Sequence, residues 1–432
     1  MAFKFQQSSE GHSSNLALFT PKPVDAATNQ VQFVEYRPVS QLNHGSPIEF
    51  NISGTGMEYI NLKDTRLHFE ARILRPDGMP VSPADATGLI NIPLQSLFRM
   101  VDVSLNGVVM NASVGTAYPY KAYIDIISTC SEDILTSQYQ SILYYKDTAG
   151  YCDRVNPVDG PNFGLVERYG WTKDGNSVDL EGPLFVDVMR QDKLLLNGVQ
   201  VNITLYPSTD SFCLMSDGNA YTVDITSAVL KVCTHRPQSA VILAHDKVLQ
   251  STPAIYDYNR SDIKAFSVPA GLFNYSIEDP FLGTVPTRLF VGLVPSQAFN
   301  GSYARNPFNF SHFDVSYLGF FVDSESRPGV ALKPNYKNRN YMNEYLTMFA
   351  GLGKLGKTGS YVDRNEFPYG YCTYLFDLAT THDDDVINLS KRSHTRLSIQ
   401  FEKALPEPVS IILYGVFPAT MQITHERNII VN

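Results

Sequence analysis

The chain has 432 residues, a formal net charge of −9 and only 18% charged residues. Because a single hydrophobic core stops growing beyond roughly 250–300 residues, two or more domains are expected. The acidic balance, with no dense run of Lys and Arg, excludes a protein that coats nucleic acid, since phosphate binding needs a basic face. The 25 Tyr and 25 Phe, against one Trp, favour wide β-surfaces that are buried or contact neighbours.

The N-terminal 30 residues are rich in Ser, Gln, Asn, Pro and Thr and show little periodicity. We therefore expect 1–30 to be a flexible arm. No leader-like segment begins the sequence and no apolar run reaches membrane-spanning length, so we expect a protein without a transmembrane segment, made in the cytosol and soluble. The cysteines show no CxxC spacing, which favours free buried thiols over zinc ligands or disulfides; they are Cys130, Cys152, Cys213, Cys233 and Cys372.

The first half of the chain reads as strands with one long insertion. Alternating or apolar runs predict strands at 31–36, 47–52, 65–74, 184–189, 200–206 and 221–232. Asn106-Gly107, between the apolar runs of Val101–Met110, predicts a hairpin with a type I′ turn, and Asn197-Gly198 is placed similarly. A Tyr-rich helix is expected over Tyr118–Thr129. Residues 131–182, which are rich in Gly, Pro and Asp, are expected to form a long surface insert.

The second half repeats the same order of elements with little residue identity. A connecting helix is expected from Ser239, because its apolar residues have helical spacing. Strands are predicted at 287–294, 314–322, 372–378, 395–402 and 409–417, with a strand-like piece at 420–424. A Tyr-rich helix is expected over Asn338–Ala350 and a Gly-rich insert over 351–369. A repeat of about 200 residues indicates two tandem modules, which we place at 31–236 and 237–432.

These elements predict an all-β protein of two tandem antiparallel β-sandwiches, with short helices in inserted loops. About eight strands in each module, joined by long connections, fit a double jelly roll. Another Greek-key sandwich remains an alternative, because the pattern of a single sequence does not separate the two.

One segment matches a phosphate-binding pattern. Gly351–Thr358 (GLGKLGKT) has every fixed position of G-x-x-x-x-G-K-[ST], a loop whose backbone N–H groups surround phosphate when it follows a strand and precedes a helix. Here a helix-like stretch precedes the motif, and the following residues do not have a helical pattern. We therefore expect an exposed loop, not a nucleotide site.

The other candidate sites for ions or catalysis are equally weak. The acidic run Asp383–Asp385 after His382 reads as a solvated turn, with an ion at a subunit contact as the alternative. His235 and His245 flank the expected connecting helix without the spacing of a metal pair. No Gly-x-Ser-x-Gly elbow occurs. We expect no catalytic, cofactor-binding or metal residues and therefore no enzyme.

The stretch from Ala298 to Phe313 is unusually aromatic. Its rings are interleaved with Asn and turn residues, and Arg305 is its only basic residue before His312. A base-stacking platform would need a basic groove. We therefore expect this loop to be pinned into the core or into a neighbouring subunit.

Several segments together resemble one protein family. They are Val34–Ser40 (VEYRPVS), Pro47–Gly56 (PIEFNISGTG), Val101–Gly107 (VDVSLNG), Tyr144–Gly150 (YYKDTAG), Leu194–Val199 (LLLNGV), Asp210–Met215 (DSFCLM), Ala298–Tyr303 (AFNGSY) and Asn306–Phe310 (NPFNF). In this order, from about residue 31 to the C-terminus, the chain resembles the major capsid proteins of Polinton (Maverick) elements and adintoviruses. The N-terminal arm shows no such match.

The resemblance implies a double jelly roll similar to those of adenovirus hexons and virophage capsid proteins. It also implies homotrimers that form pseudo-hexagonal capsomers tiling an icosahedral shell. The expected partners are further copies of the chain, neighbouring capsomers, penton and other minor capsid proteins, without sequence-specific contact with nucleic acid. The expected location is the virion, after synthesis in the host cytosol, with assembly in the nucleus as an open alternative.

A carbohydrate-binding or hydrolytic β-sandwich protein is the rival function. Such a protein would present Trp and Tyr on a concave face, with paired carboxylates if it were catalytic. A single Trp, Trp171, and the lack of a placed carboxylate pair count against it.

Overall fold

Two β-sandwiches follow one another along the chain in the computed structural model, which describes residues 14–16, 18–19, 21–22, 24–54, 56–111, 118–217, 220–357, 361–382 and 386–431. Most of the expected N-terminal arm therefore lies outside the described residues. Its last residues, Thr28 to Gln30, already belong to the first strand.

The first sandwich contains ten strands within the described residues. They are β1 (Thr28–Tyr36), β2 (Ile48–Ile52), β3 (Tyr59–Leu74), β4 (Thr87–Leu89), β5 (Phe98–Leu105), β6 (Val108–Val109), β7 (Val178–Pro183), β8 (Val201–Pro207), β9 (Leu214–Ser216) and β10 (Thr222–Pro237). Its helices are α1 (Pro93–Ser96), α2 (Tyr118–Thr129), α3 (Glu132–Leu135), α4 (Phe163–Thr172) and α5 (Asp210–Cys213). Helix α6 (Ser239–Leu249), the expected connecting helix, leads to the second sandwich.

The second sandwich contains the remaining strands and two helices of the described chain. The strands are β11 (Ala254–Val268), β12 (Asn274–Glu278), β13 (Thr284–Val285), β14 (Arg288–Pro295), β15 (Phe310–Ser311), β16 (Val315–Val322), β17 (Glu325–Leu332), β18 (Tyr369–Gly370), β19 (Thr373–Asp377), β20 (Lys391–Arg392), β21 (Thr395–Phe401), β22 (Val409–Ile423) and β23 (Ile429–Val431). The helices are α7 (Ser296–Asn300) and α8 (Met342–Ala350).

Both sandwiches have the same sheet topology. In the first, four-stranded sheets have the orders β1-β10-β3-β7 and β2-β8-β5-β6. In the second, the corresponding orders are β11-β22-β14-β19 and β12-β21-β16-β17. If the eight sheet strands of each sandwich are counted along the chain, both have strand orders 1-8-3-6 and 2-7-4-5. This is the jelly-roll arrangement, so the chain is a double jelly roll, and the pattern repeat of the sequence is confirmed.

Alternating side chains build the two cores. Along β3, apolar residues such as Leu67, Phe69 and Ala71 are buried while the intervening residues are more exposed, as expected when one face of a strand meets the opposite sheet. The central strand β14 is buried along nearly its whole length, and β22 is buried continuously from Val409 to Gly415 and alternates after that. Strand β22 pairs with β11 without interruption from Val409 to Ile423.

The turn chemistry at Asn106-Gly107 follows the prediction. Both residues have positive φ, 45° and 83°, and they join β5 to β6. Asn197-Gly198 does not form such a hairpin. Leu195 makes only an isolated bridge to Ile60, so the run of Leu residues before Asn197 is not a strand. Gly198 lies in the loop that precedes β8.

Two predicted elements are placed differently in the structure. The strand expected at 184–189 is wrong: β7 ends at Pro183, and Asp187–Arg190 forms a 3₁₀ turn. The apolar run that suggested a strand is buried at the junction of the two sandwiches instead. The second Tyr-rich helix begins at Met342, four residues later than expected, because Asn335 and Asn340 pair with each other in a preceding turn.

The segment 131–182, expected to be a surface insert, is folded. It contains α3, α4 and the whole of β7 except Pro183, so the insertion between strands ends before Val178. Leu165 and Arg168 are fully buried, whereas Phe163 and Trp171 are exposed. One face of α4 therefore belongs to the core, and the opposite face lies at the surface.

Candidate functional site: the junction of the two sandwiches and its surfaces

An aromatic cluster joins the two sandwiches. Tyr120 and Tyr123 of α2 meet Phe308 and Phe310 of the second sandwich, and the rings of Tyr123 and Phe308 are stacked with centroids 4.3 Å apart. Phe299 stacks on Tyr120 at 5.5 Å. The aromatic stretch 298–313 is thus pinned into the core, one of the two outcomes expected for it. Stacked and edge-to-face rings contribute about 0.5–1.5 kcal/mol per pair beyond their burial, so the cluster holds the sandwiches in one orientation.

A buried network of charges lies beside the aromatic cluster. The Lys121 ammonium group pairs with Asp125 at 3.1 Å and with Asp187 at 2.9 Å. Asp187 accepts hydrogen bonds from the backbone N–H and the hydroxyl of Ser261 in β11, and Asp125 accepts one from the Tyr414 hydroxyl in β22 at 2.8 Å. Because Lys121, Asp125 and Asp187 come from the first sandwich, the network links one sandwich to the other.

Electrostatics favours the charged forms of Lys121 and Asp125. Burial alone raises the pKa of Asp125, but the charges of Arg190 and Lys121 and the Tyr414 hydrogen bond outweigh burial and lower the net pKa. Burial likewise lowers the pKa of Lys121, but Asp125 and Asp187 raise it above its ordinary value. Opposite charges at contact distance favour the charged forms, so the junction carries ion pairs that loss of one partner would leave uncompensated.

A second buried network ties α4 to the loops of the second sandwich. Arg168, which is fully buried, bonds the Asp147 carboxylate at 2.7 Å and the carbonyls of Leu89 and Tyr145. The other oxygen of Asp147 accepts from the Asn306 side-chain amide at 3.0 Å, and the Tyr371 hydroxyl donates to the Asp147 carbonyl at 2.6 Å. Every partner is thereby satisfied within the protein, as a buried charge requires.

The phosphate-pattern segment has a different context from a nucleotide-binding loop. Helix α8 ends at Ala350 and runs directly into a turn at Gly351, so a helix, not a strand, precedes the glycines. The Lys354 ammonium donates to the Thr129 carbonyl at 2.5 Å and fixes this turn to α2. Thr358 lies outside the described residues.

The other ion-site candidates are scattered. His245 lies within α6, not beside it, and its ring Nδ1 bonds the Tyr59 hydroxyl at 2.9 Å, whereas His235 is part of β10. His382 bonds Asp377 at 3.0 Å, and Asp383–Asp385 lies outside the described residues. Among the residues with described positions, no group of three or more His, Cys, Asp or Glu side chains is placed to hold a metal ion.

All five cysteines are buried and free, as the spacing predicted. Burial raises the pKa of Cys152, Cys213, Cys233 and Cys372. Thiols held in the protonated form are poor nucleophiles, so these four cysteines act as small core residues.

Exposed apolar side chains mark the surface of the first sandwich. Val31 and Phe33 on the edge strand β1 are 52% and 48% exposed, and Leu243 and Val248 on α6 are 68% and 58% exposed. An open strand edge with apolar side chains is a template for contact with another chain. Across the described ranges, no helix has both the length and the apolar character needed to cross a bilayer.

Comparison with known proteins adds to this picture. No family model matches the sequence. The uncharacterized protein F54H12.2 of Caenorhabditis elegans is 23% identical over 410 residues, covering 89% of this chain and 93% of that protein.

Solved structures match over nearly the whole chain at low identity. A chain of the Sputnik virophage, determined by cryo-electron microscopy, has a TM-score of 0.65 at 9% identity, over 98% of this chain and 93% of that one. The mavirus major capsid protein has a TM-score of 0.55 at 12% identity, over 100% and 97%. The Faustovirus major capsid protein has a TM-score of 0.56 at 10% identity, over 95% and 92%. The chain therefore has the double jelly-roll fold found in viral major capsid proteins.

Proposed function

We propose that this chain is the major capsid protein of a virus or virus-like element of the Polinton and adintovirus type. Three copies form a pseudo-hexagonal capsomer, and the capsomers tile an icosahedral shell. The protein acts as a building block and not as an enzyme. In the virion it contacts further copies of itself, penton and other minor capsid proteins, and it makes no sequence-specific contact with nucleic acid.

One observation carries this proposal: the two sandwiches have the same strand orders. Three subunits with two equivalent sandwiches each give six similar corners, so a three-fold assembly acquires a six-sided outline. Identical chains that repeat one interface usually close into a symmetric assembly, and a three-fold ring is one such assembly. The fold shared with viral capsid proteins supports the same arrangement.

The rigid junction also supports a role in a shell. The aromatic cluster and both buried networks fix the angle between the sandwiches, and a subunit that tiles a surface needs a constant shape. We take the functional units as the two sandwiches, expected at 31–236 and 237–432; strand β1 moves the start of the first unit to Thr28, and β10 moves its end to Pro237.

Exposed apolar side chains on β1 and α6 are suited to contacts between subunits. Val31 and Phe33 on β1, together with Leu243 and Val248 on α6, are large apolar side chains that the monomer leaves open to water. We assign the β1 edge to contacts between copies, because interface cores are depleted of charge and rich in such residues.

Light scattering coupled to size-exclusion chromatography tests the proposal. The purified chain should elute with three times its mass of 48.2 kDa, and Phe33→Glu on β1 should reduce the trimer fraction. Phe163→Glu is the matched control, since Phe163 is a more exposed Phe on α4 away from β1. A wild-type protein that remains monomeric at all concentrations would contradict the trimer. A trimer unaffected by Phe33→Glu would remove β1 from the interface.

A further inference from the structure

An open cleft of about 430 Å³ lies where three loops of the two sandwiches meet. Its walls are 150–154 from the first sandwich, 309–313 before β16 and 368–370 around β18. The Gly150 N–H donates to the Tyr369 carbonyl at 2.8 Å, so the first and third walls are fixed to each other. The volume falls within the range of small-molecule sites, roughly 300–1,000 Å³.

The two most exposed tyrosines of the chain both line this cleft. The structure describes all 25 tyrosines, and Tyr151 and Tyr369 are 45% and 54% exposed while the others are buried or partly buried. An exposed Tyr offers a flat apolar ring with a polar hydroxyl group at its end. Two such rings in one cleft give a ligand apolar faces to cover as well as hydroxyl groups to bond.

The polar groups of the cleft are preorganised. Asp153 accepts from the backbone N–H of Asn306 and the side-chain amide of Asn309, each at 2.8 Å, and pairs with Arg305 at 3.3 Å. Its carboxylate is thus oriented, and it shares the Arg305 guanidinium with Glu407, which lies 3.5 Å from that guanidinium. The Arg154 guanidinium, in contrast, has no hydrogen bond or ion pair with the part of the chain that the structure describes, and it is exposed.

His312 also lines the cleft. Its ring Nδ1 accepts from the Asp314 N–H at 2.9 Å and lies 3.5 Å from the Asp314 carboxylate, and the ring stacks on Tyr336 with centroids 4.0 Å apart. The proton of the neutral ring is therefore on Nε2, which has no partner among the described residues. Burial lowers the pKa of His312, so the neutral form prevails at pH 7. Phe313 and Asp314 both have positive φ, 45° and 51°, and such strain concentrates at ligand sites.

We propose that this cleft binds a neutral saccharide. The apolar face of a pyranose ring covers Tyr151 or Tyr369, and its hydroxyl groups bond Arg154, His312 and Ser311. A free metal cation is disfavoured because the Asp153 oxygens are already engaged, and a phosphate is disfavoured because Arg154 is the single unpaired cation of the lining. Binding of a saccharide would be a function in addition to shell formation. Every residue that lines the cleft belongs to one chain, so binding does not require a neighbouring subunit.

Saturation-transfer NMR on the full chain tests this site. The probes are the methyl glycosides of glucose, galactose and mannose, N-acetylglucosamine, and methyl phosphate, whose methyl protons report binding of a phosphate group. We expect at least one sugar to bind with a Kd on the order of millimolar, with its ring protons showing the strongest transfer. Tyr369→Ala should weaken that binding about tenfold or more, an effect of about 1.4 kcal/mol, and Tyr369→Phe should keep most of it.

Phe163→Ala is the matched control, because it removes an exposed aromatic ring from α4, and Phe163 does not line the cleft. An unchanged unfolding temperature of each variant shows that the fold is retained. If none of the sugars binds, if methyl phosphate alone binds, or if Tyr369→Ala and Phe163→Ala bind a sugar equally well, the proposal is overturned. Sugar binding can be measured whether the chain is a monomer or a trimer. A negative result in the binding experiment is therefore distinct from a failure of the capsomer proposal.

Discussion

Removal of the Asp147 carboxylate should destabilise the protein more than removal of any exposed carboxylate. In Asp147→Ala, the fully buried Arg168 loses its only carboxylate partner among the described residues, at 2.7 Å, and Asn306 loses an acceptor at 3.0 Å. Breaking a buried ion pair from one side costs about 3–5 kcal/mol, because the remaining charge stays desolvated. That loss is a large fraction of the stability of an ordinary domain.

Asp192→Ala is the matched control for this change. Asp192 also pairs with a cation, Lys63, at 2.6 Å, but both side chains are more than half exposed. Exposed pairs contribute about 0–1 kcal/mol, because water screens them. The two variants therefore remove the same chemical group from opposite environments.

Urea unfolding at one fixed protein concentration measures both variants. We expect a loss of about 3–5 kcal/mol for Asp147→Ala and less than about 1 kcal/mol for Asp192→Ala. The double variant Asp147→Ala with Arg168→Met should cost less than the sum of the single variants, since no unpaired charge remains. Equal losses in Asp147→Ala and Asp192→Ala would refute the claim that buried charges hold the junction together.

Three further predictions concern the junction and the pH dependence. Phe308→Ala should cost about 3–5 kcal/mol in urea unfolding, because the ring is 1% exposed and stacked on Tyr123; a loss below 1 kcal/mol would contradict the packing. Gly292→Ala should lower the free energy of unfolding by about 1–3 kcal/mol, because the new Cβ would lie 2.5 Å from the Phe310 ring. Gly170→Ala, at an open helical position, is the control and should leave the free energy of unfolding unchanged or raise it by up to about 1 kcal/mol. Burial lowers the pKa of His312 below 6.5, so as the pH falls the unfolded chain binds a proton at this residue before the folded chain does, and the free energy of unfolding should decrease below about pH 6.5. His312→Asn should reduce the slope of the free energy of unfolding against pH. An unchanged slope would exclude His312 as its source.

Local signals explain why so much of the fold was predictable. The Asn106-Gly107 turn and the alternation of β3 arise from neighbouring residues, and both were read correctly. Strand β17 was missed because Pro328 and Gly329 interrupt it and most of its residues face solvent. The prediction of a strand at 184–189 was wrong because Phe185 and Met189 are buried at the junction of the two sandwiches and not in a sheet. The local sequence pattern does not distinguish these two kinds of burial.

The junction and the cleft depend on contacts between distant residues. The i,i+4 pair Lys121 and Asp125 is visible in the sequence, but the positions of Asp187 and Ser261 beside it follow only from the fold. The cleft likewise unites loops more than 150 residues apart. The one available signal was the combination of aromatic and polar residues in each of these loops, which alone does not distinguish a binding site from a core contact.

Electron microscopy of the purified chain shows directly whether three copies form a six-sided capsomer. We expect three-fold particles with six lobes, in which each subunit contributes two lobes that fit the two sandwiches, and closed shells under assembly conditions. Uniform monomers under every condition, or an oligomer without three-fold symmetry, would contradict it.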